Sequence, residues 1–419
     1  MHRFKVFAPI AVIAALAATS TTASTQAPSA GVSLAVDGRT NQTPWVASHG
    51  SFVAAAWGAS AAGKADVYLA VSRDGGQTFG QPVRVNAAAG EARVSGEIAP
   101  RVAVVPRAGS PDPEVVVLWN AKDTTTHIKV ARSRDGGRTF AAALPLQSPG
   151  TPGDRGWQAL AVDARGTAHA LWLDHRGMAA GGAKPMDHKG EHDGVAMAQR
   201  SGLYYSTDTG GISRERELFK GVCYCCKTAF AAGRDGSLYA AWRHVFEGNF
   251  RDMGFTSSKD GGKTFSPLVR VHQDGWSING CPDDGPAMAV DARGAVHLVW
   301  PTVSGGTEGA LHYAISRDGR SFGAPVRVPT LGGPKPSHPQ IAIDGAGRVV
   351  IAWDEVRNGV RNAALTRVRP GNGPVFEAAR TLDAGTSAYP VMTAVPNGLL
   401  VAWTAGSPNQ SVISTAVIR

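Results

Sequence analysis

Ser72-Arg-Asp-Gly-Gly-Gln-Thr-Phe79 is nearly repeated as Ser133-Arg-Asp-Gly-Gly-Arg-Thr-Phe140 and Ser258-Lys-Asp-Gly-Gly-Lys-Thr-Phe265. A copy one glycine shorter runs from Ser316 through Asp318 to Phe322, and Ser206-Thr-Asp208 keeps only the first half. Asp-Gly between two apolar runs is a strong hairpin signal, because both residues tolerate the backbone angles of a tight turn. Each copy follows a strand-like run such as Val67-Tyr-Leu-Ala-Val71 and precedes another such as Pro82-Val-Arg-Val85. The spacing predicts that Ser72, Asp74, Gly76 and Phe79 build one turn, Ser and Asp bonding its amides and Phe folding over it. Ser133, Asp135, Gly137 and Phe140, and Ser258, Asp260, Gly262 and Phe265, repeat the set.

A longer unit surrounds each turn. Ala159-Leu-Ala-Val-Asp163 leads through Gly166 to a strand ending at Trp172, and Ala287-Met-Ala-Val-Asp291 leads through Gly294 to Trp300. Trp57, Trp119, Trp172, Trp242, Trp300, Trp353 and Trp403 mark this position, at spacings of 50 to 70 residues. A repeat of this period whose units cannot bury their faces alone predicts a stacked array of four-stranded units. The seven tryptophans favour seven units, with six as the alternative. The last unit, from about Tyr389, supplies three strands. Val32-Ser-Leu-Ala-Val36 is expected to complete it and close the ring.

The octapeptide resembles the Asp box, or BNR repeat, of the sialidase-type β-propellers. That resemblance implies an all-β propeller over residues 31–419. It further implies a site in which three arginines hold a carboxylate, a Tyr paired with a Glu acts as nucleophile and an Asp serves as acid/base. Thr386-Ser-Ala-Tyr389-Pro is similar to the segment that carries the family's tyrosine, which makes Tyr389 the catalytic candidate. Arg101, Arg155, Lys227, Asp284 and His338 are read at the corresponding entry positions of other units, with Asp283 beside Asp284. Arg243, just after Trp242, is the candidate third arginine, and Asp123 and Asp174 follow their tryptophans on the same side. The Phe/Tyr-Arg-Ile-Pro sequence of the family is replaced by Thr43-Pro44-Trp45, and cysteines stand where a Glu is expected. The resemblance therefore carries the fold further than the chemistry.

Residues 1–30 read as an export signal: basic Arg3 and Lys5, an apolar run from Val6 to Ala18, then small residues. No stretch is long enough to span a bilayer, and a periplasmic or secreted chain is expected. The formal charge of +9 falls by two when Arg3 and Lys5 leave. The remaining Lys and Arg are scattered rather than striped, which argues against nucleic acid as a partner.

In the predicted strand order, the loops after each tryptophan and the links between units share one face. The irregular segments all fall there, so ligand or partner binding, small molecule, glycan, metal or protein, is expected on that face. Cys223, Cys225 and Cys226 lie in one link and Cys281 in the next. Four cysteines in an exported chain allow three disulfide pairings, Cys281 with one of the clustered three being the natural cross-link. Thiolates equally suit copper(I) or zinc, although Cys-x-Cys-Cys is a weak zinc signature. An insertion after Trp172 brings His188 and His192 together with methionines, which tips the metal reading toward copper.

Overall fold

The computed structural model describes residues 1–2, 31–148, 150–180, 194–208, 215–278, 280, 282–303, 308–369 and 373–419. Residues 3–30 of the expected export signal, together with His188, His192 and Cys281, lie outside these residues. No helix among the described residues is long and apolar enough to cross a membrane.

The described residues form antiparallel sheets, each centred on one of the repeat tryptophans. Around Trp172 the order is Arg155–Val162, Ala168–Asp174, Gly202–Asp208, Arg216–Lys220. Around Trp242 it is Ala229–Ala232, Leu238–Arg243, Met253–Ser258, Val269–Arg270, and Trp300 and Trp353 have sheets of the same order. The Trp57 and Trp119 sheets are joined by Ala92–Arg93, which pairs with Ala65 on one side and with Asn120 and Ala121 on the other. The Trp403 sheet takes its outer strand from the N-terminal segment: Ser33 pairs with Ser414 and Leu34 with Ile413. The strand Thr40–His49 lies beside Arg101–Val105, and the first strands continue in contact in chain order to Ser387–Val395, which lies beside Thr40–His49. The sheets are those of a β-propeller.

Stacking explains the composition. The second strands are buried on both faces, so Phe52–Ala61 reads as a near-continuous apolar run rather than an alternation. Six of the seven tryptophans have no exposed surface, and Trp403 keeps 5%. Burying one such side chain removes roughly 150–250 Å² from water, an upper contribution of about 4–6 kcal/mol before ordering costs. The indole N–H still needs an acceptor: Trp57 donates to Asn41 Oδ1 at 2.9 Å and Trp353 to Glu355 Oε2 at 2.8 Å.

The turns form as the spacing predicts. Ser72 Oγ donates to Asp74 Oδ1 at 2.7 Å and accepts from the Gly76 amide at 2.8 Å, while Asp74 accepts from the amides of Gln77 and Thr78. These donors hold the Asp74 carboxyl down to about 2, the Thr78 hydroxyl contributing most. The aromatic behaves differently from the expectation. Phe79, Phe140, Phe265 and Phe322 pack into the core shared with the preceding sheet; Phe265 meets Tyr205 edge-on at 5.0 Å and Phe322 meets Phe255 at 4.9 Å. The second glycine approaches the same neighbour: at Gly262, φ +85°, a Cβ would fall 1.8 Å from Tyr205 Oη. The box is a hairpin turn and a clasp between sheets.

Candidate functional site

The link between Arg216–Lys220 and Ala229–Ala232 turns inward at Gly221, whose φ is +75°. Val222 bridges to His244, and the Cys223 amide donates to the Arg243 carbonyl at 2.9 Å. This places Cys223, Cys225 and Cys226 in the interior, at 1%, 5% and 1% exposure. Their sulfurs are mutually close: 3.9 Å for Cys223 and Cys225, 3.8 Å for Cys225 and Cys226, 3.7 Å for Cys226 and Cys223. Tyr224, Val245 and Ala198 enclose the cluster, with Met178 and Met197 packed at its edge. Among the described residues, Cys223 and Cys226 carry free thiols. Their spacing is Cys-x-x-Cys, a pattern hidden in the sequence by the intervening Cys225.

The electrostatics of the pair are set by buried guanidinium groups. Arg251 Nη1 lies 3.3 Å from Cys223 Sγ and its Nε donates to Asn249 Oδ1, while Nη2 has no partner. Arg243 is also buried, its donors directed at the carbonyls of Arg251, Asp284 and Pro301. The Cys226 thiol, bonded to Cys223, pulls the Cys223 thiol well below its ordinary range, and the charges of Arg251 and Arg243 add to this. Burial pushes Cys226 up, and the neighbouring Cys223 sulfur pushes it further. One member of the pair is set to ionise and the other to stay protonated. A low-pKa thiol beside cations is the reactive and metal-binding form of cysteine.

A second set of residues stands where the first strands begin, and Thr43, His338 and Tyr389 among them line a cavity with Trp45, Glu97, Arg101 and Lys227. Thr43, Trp157, Asp283, His338 and Tyr389 have φ between 51° and 54°, an uncommon conformation for residues with a side chain. Four of them sit at a register shift where a first strand begins, between Gln42 and Trp45, Gly156 and Ala159, Ser337 and Gln340, Ala388 and Val391. His338 and Tyr389 are thus equivalent, as the sequence indicated. Arg155 stands two residues before its strained neighbour and Asp284 one after. Strained backbone of this kind costs roughly 1–3 kcal/mol per residue and concentrates at functional sites.

Within the mouth, Lys227 Nζ lies 3.0 Å from Glu97 Oε1 and 4.0 Å from Asp284 Oδ1. The His338 amide donates to Asp284 Oδ1 at 3.0 Å, while Asp284 Oδ2 has no partner. His338 Nδ1 is 2.9 Å from Asp354 Oδ2, which also accepts the Tyr389 amide at 2.8 Å. The His338 and Tyr389 rings meet at 4.3 Å. Burial, then the Asp354 charge, raises the Tyr389 phenol to about 12. Burial, then the Glu97 charge, raises Asp283.

Two of the candidate arginines are fully engaged, and Arg101 keeps its buried Nε without a partner. Arg101 stacks over Trp45 at 4.0 Å and donates to the Ala99 carbonyl. Arg155 binds Asp174 and the carbonyls of Gly153 and Pro152, and Arg243 binds three carbonyls. Asp174 is spent on Arg155 and Arg176, and Asp123 is an exposed turn residue bonded to the Thr125 amide. Sequence reasoning missed Glu97, Trp45, Asp354 and Arg251. Asp354 carried a usable signal: the residue after each tryptophan often ties down the next sheet's entry. Thr404 accepts from the Thr43 amide, Asn120 donates to the Arg155 carbonyl, Arg243 to the Asp284 carbonyl, and Asp354 accepts from Tyr389.

No family model matches this chain, and no curated protein sequence does. Solved structures do. A Hadza microbial sialidase superposes with a TM-score of 0.51 at 18% identity, covering 85% of this chain and 73% of that one. A PL25 ulvan lyase superposes at 0.57 and 11% identity, covering 92% and 96%. The GH93 α-L-arabinofuranosidase of Fusarium graminearum superposes at 0.52 and 13% identity, covering 94% and 98%. The chain has the fold of the sialidase-like β-propellers.

Proposed function

We propose that this is an exported, closed seven-bladed propeller whose function centres on the Cys223 and Cys226 thiols, which take a soft cation of the copper(I) or zinc class. The observation that carries this reading is the buried Arg251, whose charge faces a sulfur rather than a carboxylate. A guanidinium so deep in the fold calls for an anion, and the Cys223 thiolate is the group placed to be one. Thiolates select soft metals, and the thioethers of Met178 and Met197 at the cluster edge favour copper(I). The metal, when bound, supplies electron-transfer or cation-carrying chemistry. The protein's own part is to hold the two sulfurs, exclude water and compensate their charge. Cys225 is read as cross-linked to Cys281, tying the two links together and leaving the other two thiols free. Seven blades rest on the seven repeat tryptophans, those of Trp57 and Trp119 sharing one nine-stranded sheet joined through Ala92–Arg93, and closure on the pairing of Ser33 with Ser414. The test is copper(I) titration against a competing chromophoric chelator. One equivalent bound by the wild type and none by Cys223→Ser/Cys226→Ser supports the reading; equal uptake by both ends it.

A second reading places a glycan at the channel mouth, favoured by the strained ring of Thr43, Asp283, His338 and Tyr389. Three fold neighbours are named as a sialidase, an arabinofuranosidase and an ulvan lyase, all acting on sugars. The mouth offers Lys227 and His338 as cationic groups and Glu97, Asp283 and Asp284 as carboxyls. The engagement of Arg155 and Arg243 speaks against the three-arginine sialidase clamp, so a non-sialidase ligand fits better. Binding on a glycan array that disappears in Tyr389→Phe or Lys227→Met supports this reading, and no binding by the wild type rejects it.

A further inference from the structure

We propose a second metal site, independent of the thiols, formed by His272, Asp274 and His312 for a divalent transition ion of the zinc class. His272 and Asp274 lie in the link that follows the strand Val269–Arg270, and His312 projects from the strand Ala310–Ser316 in the next sheet. The ligand atoms converge: His272 Nδ1 is 2.8 Å and His312 Nδ1 is 3.2 Å from the same oxygen, Asp274 Oδ1. All three atoms lie within 4.8 Å of one another. Zinc bonds imidazole nitrogen and carboxylate oxygen at about 2.0–2.2 Å, which in a tetrahedral site separates ligand atoms by about 3.4 Å. To reach that separation, the contacts to Asp274 Oδ1 need to open by about 0.6 Å at His272 and about 0.2 Å at His312.

Four further features distinguish this cluster from an ordinary surface hydrogen bond. The carboxylate is held from behind, Asp274 Oδ2 accepting from the buried Trp300 indole at 2.7 Å. That is the supporting contact that orients a metal-binding carboxylate. Its backbone is held too, the Asp274 amide donating to Asp252 Oδ1 at 3.2 Å. The His312 ring is braced edge-on against Trp300 at 5.7 Å. The cluster also opens outward, with side-chain exposures of 1% for Asp274, 15% for His312 and 41% for His272. Three protein ligands with one side open to solvent is the arrangement of a zinc site that keeps a position for water or a small anion. Proton balance is simple: each neutral imidazole moves its proton from Nδ1 to Nε2, and the freed nitrogen takes the ion in place of the carboxylate contact.

The test uses full-length mature protein carrying Cys223→Ser/Cys226→Ser, so that thiols contribute nothing. Calorimetric titration with zinc should give one equivalent, and cobalt(II) should show a visible spectrum with nitrogen and oxygen ligands and no sulfur charge transfer. His272→Ala and His312→Ala should each weaken zinc binding by about 100-fold or more. Because His272 is half exposed, its replacement should leave the melting temperature of the metal-free protein unchanged, separating ligation from folding. No zinc uptake by the parent protein, or affinity retained in both histidine variants, would overturn the site while leaving the thiol reading intact.

Discussion

Arg251 Nη1 sits 3.3 Å from Cys223 Sγ in a part of the fold where neither residue has appreciable contact with water. The pair adds to a difference in acidity that begins with the hydrogen bond from Cys226 to Cys223 and with the burial of Cys226. Cys223 accepts from the Cys226 thiol and lies against Arg251; Cys226 is raised by burial and by the first sulfur's negative charge, which outweigh the Arg243 charge. Replacing Arg251 by Met keeps volume and removes the charge. The thiolate absorbance of the wild type should then titrate at clearly lower pH than that of Arg251→Met. Coincident titrations would remove Arg251 from the account.

The Asp boxes make a prediction about acid. Asp74 is held near 2 against an ordinary value near 3.8. Its carboxyl pKa is depressed on folding, so the stability it contributes is present above the unfolded value and is lost as pH falls through the folded one. The window therefore runs from about pH 4 down to about pH 2. Asp74→Asn should lower the melting temperature at pH 6, by about 1–3 kcal/mol of stability for a charged acceptor lost. Toward pH 2 the difference from wild type should vanish. A constant difference across that range would show that the charge is irrelevant.

At the channel mouth the sign is reversed for His338. The Asp354 charge raises its pKa despite burial, so the stabilisation is fully present below about 6.5 and is lost as pH rises through the folded value. Asp354→Asn should cost about 3–5 kcal/mol near pH 6, as for breaking a buried pair, and distinctly less at pH 9. Thermal denaturation of both proteins across that range is the measurement. An equal loss at every pH would mean that the His338 proton takes no part.

Closure by the N-terminal strand is tested by Leu34, which is 5% exposed and lies opposite Ile413. Leu34→Ala should cost about 2–5 kcal/mol. Deleting residues 31–36 should cost more and leave the strand Gln410–Ile418 as an open edge prone to association. A truncated protein with wild-type melting and monomeric behaviour would refute closure.

Much of this architecture is legible in the chain because it is local. The Asp box needs only contacts within eight residues, and each tryptophan marks its own second strand. The pairing of Ser33 with Ser414 was legible by counting, since the last unit lacks a strand. What escapes is what register and stacking create. Phe265 packs on Tyr205 of the preceding sheet rather than on its own turn. Glu97 meets Lys227 across 130 positions, and His312 meets Asp274 only because two sheets are stacked. The candidate arginines show the opposite failure. Arg155 and Arg243 spend their donors on Asp174 and on backbone carbonyls, and Arg101 bonds the Ala99 carbonyl while its Nε has no partner.

The central claim is that Cys223 and Cys226 are a free, cation-binding pair. Its most direct test is the free-thiol count and metal content of protein purified from its native compartment without chelator. Two thiols titratable after unfolding, with about one equivalent of copper or zinc that is lost in Cys223→Ser/Cys226→Ser, is the predicted result. No thiols and no metal would mean that all four cysteines are cross-links, and would contradict it.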